Sequence, residues 1–226
     1  MIELSQDECR VLGTLIEKAL TTPGQYPLSL NSLVTGVNQK NNRDPVVEID
    51  EDTALRAVDG LRAKGLVRDV SFTGARVEKY RHTAGEALEV RPPELALLSE
   101  LLLRGPQTVG ELRGRAGRMH PFESIEVVES VLASLAGRTE PGFPLVRELP
   151  PAPGSRAPRW MQLLCEDLHP TGPIGPAAAA AVPVARIAAV PAGEERLAGL
   201  EARVKGLEDT VAGLQSTVAE LKALLA

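Results

Sequence analysis

The stretch "LVRDVSFTGARVEKYRHT", Leu66–Thr83, decides the fold class because it follows three predicted helices. Apolar and polar residues alternate on both sides of Thr73-Gly74, a pattern typical of two strands joined by a tight turn. The three helices are predicted to begin near Ser5, near Ser29 and after Asp50. Three helices followed by a hairpin is the order of a winged helix-turn-helix domain, which the sequence therefore predicts for residues 1–90.

Local signals define the helices of this first repeat. Ser5 and Glu8 have the spacing of a capping box, and Asp50 is a suitable N-cap for the third helix. Cys9 follows the apolar period of the first helix, so we expect a small core residue rather than a disulfide partner. Glu17-Lys18 is expected on an exposed helix face. The third helix is expected to bury Leu55, Val58, Leu61 and Leu66.

The same order of elements recurs over residues 91–168. A helix opens after Pro93, and a second one carries Thr108 and Glu111 as a capping box. A third helix is capped by Ser124, and "PLVRELP" and "PRWMQLL" supply two strands. Its predicted inward residues are Val127, Val128, Val131, Leu132 and Leu135. The predicted fold class is therefore mainly α with small β-hairpins (α+β), as two tandem winged helix-turn-helix domains.

The remaining chain differs from both repeats in composition. Residues 169–193 are rich in proline and alanine, which predicts a semi-extended linker. Residues 194–226 show a heptad pattern that favours a parallel two-stranded coiled coil and hence a homodimer. An amphipathic helix folded back on its own domains is the alternative. The predicted dimerisation residues are Leu197, Leu200, Val204, Leu207, Val211, Leu214, Val218, Leu221 and Leu225.

Bulk composition narrows the function classes. The 226 residues carry a net charge of −5, and only 3% are aromatic, so a basic surface for nucleic acid would have to be local. No stretch has the pattern of a signal peptide or a membrane span, which leads us to expect a cytoplasmic protein. The three histidines are scattered, and no motif predicts catalysis, a metal site or a cofactor.

Three long stretches resemble one known family. They are "LIEKALTTPGQYPLSLNSLVTGVNQKNNRDPV" (15–46), "RVEKYRH" (76–82) and "LLLRGPQTVGELRGRAGRMHPFESIEVVESVL" (101–132). These motifs resemble the YceH-like proteins, an uncharacterised bacterial family. The resemblance covers about residues 1–168 and implies two winged-helix domains in tandem. It implies neither a catalytic mechanism nor a ligand.

Charge placement argues against ordinary docking on DNA through the third helices. The first turn of the third helix in the first repeat is "DEDT", residues 50–53, and the third helix of the second repeat carries Glu123, Glu126 and Glu129. The DNA phosphates would repel the carboxylates of both helices. Cations and amides gather elsewhere, in the loop before the third helix, in the first wing and in "LRGRAGRMH". The candidate DNA contacts are Asn38, Lys40, Asn41, Asn42 and Arg43, then Arg76, Lys79 and Arg81 with His82, and then Arg113, Arg115 and Arg118.

Each group has a structural alternative. The loop asparagines can cap and turn the backbone, and the cations can simply solvate the surface. Our first hypothesis is a dimeric protein that binds double-stranded DNA through loop and wing cations, as a transcriptional regulator. The rival hypothesis is a protein-interaction scaffold without DNA binding, which the acidic third helices favour. A protein partner therefore remains an alternative to DNA, and no membrane partner is expected.

Overall fold

The first repeat, as the computed structural model describes it, has the predicted helices and a small sheet. The helices are α1 (Gln6–Thr21), α2 (Leu30–Val37), α3 (Glu51–Ala63) and the short α4 (Ala84–Ala87), and the strands are β1 (Leu28–Ser29), β2 (Val67–Val70) and β3 (Lys79–His82). The structure describes residues 2–70, 77–139, 142–152 and 154–169. The predicted turn at Thr73-Gly74 lies outside these ranges.

The second repeat follows the same plan. Its helices are α5 (Pro92–Arg104), α6 (Val109–Ala116) and α7 (Ile125–Ala136), and its strands are β4 (Gln107–Thr108), β5 (Val146–Leu149) and β6 (Arg159–Gln162). The mixed α+β class is therefore confirmed. The predicted linker beyond His169 and the predicted coiled coil lie outside the described residues.

The predicted helix starts are confirmed by their capping bonds. Ser5 Oγ accepts from the Glu8 backbone N–H, while Glu8 Oε2 accepts from the Ser5 N–H at 2.7 Å. Asp50 Oδ1 accepts from the Thr53 N–H at 2.7 Å. The caps of the second repeat, on Thr108 and Ser124, are also formed. These bonds satisfy N–H groups that the first turn of a helix leaves without a partner.

Each repeat carries a three-stranded antiparallel sheet. The strand orders are β1-β3-β2 and β4-β6-β5, so the two sheets have the same topology. The pairings of β2 with β3 and of β5 with β6 agree with the strands that the sequence predicts. β1 and β4 were not predicted, because a two-residue strand has no measurable alternation.

Helix α1 is the centre of the described unit. It packs against α2 and α3 of its own repeat and against α5 of the second. Ten consecutive residues, Glu8 to Glu17, are buried, so α1 is enclosed on all sides rather than along one stripe. Cys9 is fully buried, as predicted for a core residue, and neither it nor buried Cys165 forms a disulfide.

The ends of this unit meet at α1. The Leu4 N–H donates to the Leu164 carbonyl oxygen at 2.8 Å. Close by, Gln6 Nε2 donates to the Asp167 carbonyl oxygen at 3.3 Å. The last described segment of the second repeat is thereby attached to the first helix of the chain.

Two predicted core positions are wrong. Leu55 is 37% exposed and Val127 is 40% exposed. In α3 the buried face is formed by Ala54, Val58 and neighbours, and Leu55 lies one residue, or about 100°, away from it. Val127 is displaced in the same way from Val128. None of the helices in the described ranges is long and apolar enough to cross a membrane.

Candidate nucleic-acid interface

The loop Asn38–Val46 is built around a buried arginine. The Arg43 side chain is fully enclosed, and its Nη2 and Nη1 donate to the two carboxylate oxygens of Glu17 at 2.6 and 3.3 Å. The same guanidinium donates to the carbonyl oxygens of Gly36 and Asn42 at 2.8 and 2.9 Å. This bidentate arrangement uses Arg43 inside the protein, so in this structure it is not available to a ligand.

Other loop residues also bond within the chain. The Asn38 amide exchanges two hydrogen bonds with the Ile49 backbone, at 2.8 and 3.0 Å. Asn42 Oδ1 accepts from Arg104 Nη1 at 3.0 Å. Lys40 and Asn41 are exposed. Of the five candidate contacts in this loop, these two keep free side chains within the described part of the chain.

The loop is attached to the second repeat by backbone groups as well. The Asp44 N–H donates to the Leu103 carbonyl oxygen at 2.9 Å. Arg10, which is buried in α1, donates to the carbonyl oxygens of Leu103 and Pro45 at 2.8 and 2.7 Å. Nε2 of His169 lies 2.5 Å from the Asp44 carbonyl oxygen. These contacts support the structural alternative for this loop, a connector between the repeats.

An ion cluster with a buried centre and two half-exposed arginines, Arg104 and Arg118, continues this connection. We define it as Glu17, Arg43, Glu100, Arg104 and Arg118. Arg118 bridges the two carboxylates, with Nη1 at 2.6 Å from Glu17 Oε1 and Nη2 at 3.3 Å from Glu100 Oε2. Arg104 Nε lies 3.6 Å from Glu100 Oε1. The expected exposure of Glu17 is wrong, since its side chain is only 1% accessible, because arginines from two distant segments enclose it.

The two carboxylates of the cluster titrate in opposite directions. Burial opposes the ionisation of Glu17, but hydrogen bonds and charges from Arg43 and Arg118 outweigh burial and lower its pKa. Burial dominates at Glu100 and raises its pKa, although Arg118 and Arg104 act against it. Glu17 is therefore the well-compensated anion of the cluster.

The basic segment of α6 and the turn after it is also occupied. Arg113 Nη2 donates to the Glu123 carbonyl oxygen at 3.0 Å. Arg115 donates to Gln107 Oε1 at 2.8 Å and pairs with Glu111 at 3.1 Å. Together with Arg118 in the ion cluster, all three predicted contacts in this segment have partners within the chain.

Cations remain on one face of the first sheet, where Arg68 and Arg81 are exposed and Lys79 is half-buried. Lys79 and Arg81 alternate along β3 with Tyr80, which is 3% exposed and faces the core. Arg81 is paired in register with Arg68 of β2, whose side chain is 70% exposed. We call Arg68, Lys79 and Arg81 the outer sheet face. The predicted contact Arg76 lies outside the described residues.

The outer sheet face has few compensating anions. The nearest recorded carboxylate is Glu86, 3.7 Å from Arg68 and itself largely exposed. Lys79 and Arg81 have no ion pair within the described ranges. His82 adds no charge, because burial and the charge of Arg81 lower its pKa to about 4. Sequence reasoning missed Arg68, which only the register of β2 against β3 identifies.

The third helices present a different surface. Glu51 and Asp52 are exposed at the start of α3. In α7, Ile125 and Val127 are 43% and 40% exposed on either side of exposed Glu126. Ile125 and Val127 are two residues, or about 200°, apart around the helix, so they do not share one face. We call Ile125, Glu126, Val127 and Glu129 the exposed start of α7. Apolar side chains flanked by carboxylates do not suit a phosphate backbone.

Comparison with protein families places the chain among uncharacterised bacterial proteins. The model of "Protein of unknown function, DUF480" matches residues 4–155, which span both repeats. The chain belongs to the DUF480 family. This membership confirms the prediction of an uncharacterised bacterial family, whereas the narrower YceH-like name stays a prediction.

Relatives in the DUF480 family are similar over most of their length. A UPF0502 protein of Citrifermentans bemidjiense is 57% identical over 160 residues, or 71% of this chain and 73% of the relative. One from Geobacter sulfurreducens is 54% identical over 163 residues, covering 72% and 73%. A UPF0502 protein of Geotalea uraniireducens is 49% identical over 201 residues, 88% of each chain. The names of these relatives describe no activity.

Proposed function

We propose that this DUF480 protein is a tandem winged-helix protein that binds double-stranded DNA. The order helix, short strand, helix, helix and two longer strands occurs twice, with one sheet topology in both repeats. That order supports the winged-helix architecture predicted from the sequence. Fold alone does not establish function, so the proposal depends on a specific surface.

The observation that carries the proposal is the outer sheet face. Arg68 and Arg81 are directly opposite each other in the β2–β3 ladder, and like charges at such positions destabilise a sheet. Lys79 lies two residues from Arg81 on the same face. A phosphate backbone would neutralise these charges, with the release of condensed counterions as the driving term.

This contact differs from ordinary docking of a recognition helix. The exposed carboxylates at the start of α3 would oppose entry of that helix into the major groove. Backbone contacts through the sheet would instead hold the protein without reading base edges. We therefore expect binding with weak sequence preference and a strong dependence on salt.

Fluorescence anisotropy with a mixed-sequence duplex and the full-length protein tests the proposal. Arg68→Ala combined with Arg81→Ala should weaken binding about 10- to 100-fold and reduce the slope of log K against log salt by about 2. The matched control combines Arg56→Ala on α3 with Arg91→Ala, which removes the same charge from exposed positions outside the sheet. The control should bind within about twofold of the wild type.

Three results would contradict the proposal. The first is the absence of duplex binding at low salt. The second is an equal loss in both double variants, which would mean that only total charge matters. The third is a loss confined to the control, which would place the contact at Arg56 of α3 or at Arg91 instead of on the outer sheet face.

The exposed start of α7 favours a second candidate function, a protein-interaction scaffold. Its exposed Ile125 and Val127 stand beside carboxylates, which suits a partner with apolar and basic groups that wraps around this end of the helix. Capture from a nuclease-treated lysate with Ile125→Ser/Val127→Ser as the test variant addresses it. The control, Val46→Ser, alters an apolar residue elsewhere that is 55% exposed. Partners that the test variant loses and the control retains would support this candidate.

A further inference from the structure

A polar surface cavity lies in the first repeat, beside the ion cluster, and shares no residue with the outer sheet face. Its volume is about 240 Å³, and it is bounded by the end of α1, the turn at Pro23–Gln25 and one side of α2. The lining residues that bear on its chemistry are Lys18, Gln25, Asn31, Ser32 and Thr35. A cavity of this size holds a small polar group rather than a large ligand.

The charge of the cavity has one sign. Among the described residues, Lys18 is the single charged residue of the lining, and none of the described lining residues is a carboxylate. Its Nζ lies 3.2 Å from Gln39 Oε1 and 3.6 Å from Glu17 Oε2. Glu17 is already held by Arg43 and Arg118, each at 2.6 Å. The ammonium group therefore keeps a donor and much of its positive charge for a further acceptor.

Uncharged polar side chains line the same cavity as this ammonium group. The side-chain amides of Gln25 and Asn31 make no hydrogen bond within the described ranges of the chain. Ser32 shares its hydroxyl only with Ser29, at 3.0 Å, and Thr35 donates to the Asn31 carbonyl oxygen. One cation with several neutral donors is the chemistry that binds a phosphate group, whose oxygens accept several hydrogen bonds at once.

We propose that this cavity binds a phosphate group, with Lys18 as the charged contact and Asn31 and Gln25 as neutral donors. The group can come from a small phosphate ester or from a nucleic-acid backbone, since the donors recognise the same oxygens in both. The site shares no residue with the outer sheet face, so it does not depend on the function proposed above.

Thermal unfolding of the full-length protein, titrated with inorganic phosphate, tests this site. Chloride at matched ionic strength provides the baseline for screening effects. The wild type should show a saturable rise in Tm, because a ligand that binds only the folded state stabilises it in proportion to occupancy. Saturation is expected in the millimolar range.

Two variants identify the contacts. Lys18→Met removes the charge and keeps the aliphatic stem, and Asn31→Asp places a carboxylate in the lining. Each should weaken apparent phosphate affinity at least about tenfold. Asp at the second position of α2 is favourable for the helix, so Asn31→Asp should fold normally. The matched control, Lys40→Met, removes a nearby exposed lysine and should leave the phosphate response unchanged.

A rise in Tm that never saturates, or that survives both Lys18→Met and Asn31→Asp, would overturn the proposal. The affinity of Asn31→Asp for duplex DNA then shows which kind of molecule carries the phosphate group. A loss of duplex affinity assigns the group to the nucleic-acid backbone, and unchanged duplex affinity assigns it to a small phosphate ester. The Arg68→Ala/Arg81→Ala variant should keep the phosphate response whether or not it still binds DNA.

Discussion

At the scale of single residues, Glu17 shows where sequence reasoning stops. Its neighbour Lys18 and its place near the end of α1 suggest a solvated pair. The guanidinium groups that enclose it come from residues 26 and 101 positions further along the chain. A local sequence pattern cannot identify such distant partners. The burial of Cys9, by contrast, follows from the helical period of its own helix and was predicted correctly.

Replacing Glu17 by Gln should be strongly destabilising. The variant leaves the enclosed guanidinium of Arg43 without its counter-ion, and breaking a buried pair in this way typically costs about 3–5 kcal/mol. Urea denaturation of the wild type and of Glu17→Gln measures the difference in free energy of unfolding. A loss below about 1 kcal/mol would mean that neighbouring carbonyl groups alone hold Arg43.

Glu100→Gln is the matched control at the other carboxylate of the cluster. Its raised pKa indicates that burial of the charge is incompletely compensated, so the neutral amide should cost only about 1 kcal/mol or less. The same urea titration ranks the two variants. Equal losses would contradict the distinction drawn between the two glutamates.

The acid limb of the stability curve should also depend on Glu17. Its folded pKa lies below the ordinary value of 4.5, so its contribution is present above that value and is lost as the pH falls through the folded pKa. Protonation of Glu100, whose pKa is raised, acts in the opposite sense. Glu17→Gln should therefore flatten the decline of unfolding free energy below about pH 4.5, as measured by urea titrations at several pH values.

At the scale of elements, helix starts were predictable and connections were not. The caps on Ser5, Asp50, Thr108 and Ser124 each depend on residues within one turn. Strands β1 and β4 exist only because β3 and β6 supply their partners. The hydrogen-bond partners of the loop Asn38–Val46 include Leu103 and Arg104 at the end of α5. No local sequence signal in the loop shows that α5 ends beside it. For that reason the sequence places Arg43 among the candidate DNA contacts, although its side chain is buried.

The end of α5 imposes a glycine. Gly105 has φ 72° and ψ −157°, a region that only glycine occupies readily, and a Cβ there would lie 2.5 Å from the His169 ring. Gly105→Ala should therefore lose about 2 kcal/mol more stability than Gly65→Ala. Gly65 has the same φ but nothing within 4 Å of a Cβ. Thermal and urea unfolding of both variants test this, and equal losses would exclude the steric contribution of His169.

At the scale of the whole molecule, the two repeats share one core. Apolar side chains from both halves form a single buried cluster, and α1 contacts both. The sequence predicts two repeats, because the same order of helix and strand patterns occurs twice along the chain. That both repeats pack against α1 was not predictable from the sequence. Hydrophobic periodicity shows which residues of a helix are apolar, but it does not show which other helices cover them.

Assembly of two chains remains a prediction from the heptads of residues 194–226. Light scattering should give a dimer for the full-length protein and a monomer for a chain truncated near Gly193, since Val at a and Leu at d favour two strands. A full-length monomer would favour the alternative in which this helix folds back. A dimer that survives truncation would move the interface into the two repeats.

The enclosure of α1 has a consequence for biosynthesis. During translation, residues 6–21 emerge before the rest of the two repeats, but one side of this helix is covered by α5 and by the segment around Leu164 and Asp167. A nascent chain that ends near residue 90 therefore exposes apolar surface that its own repeat cannot cover. We therefore expect the first repeat to complete its packing only after about 80 further residues have been made.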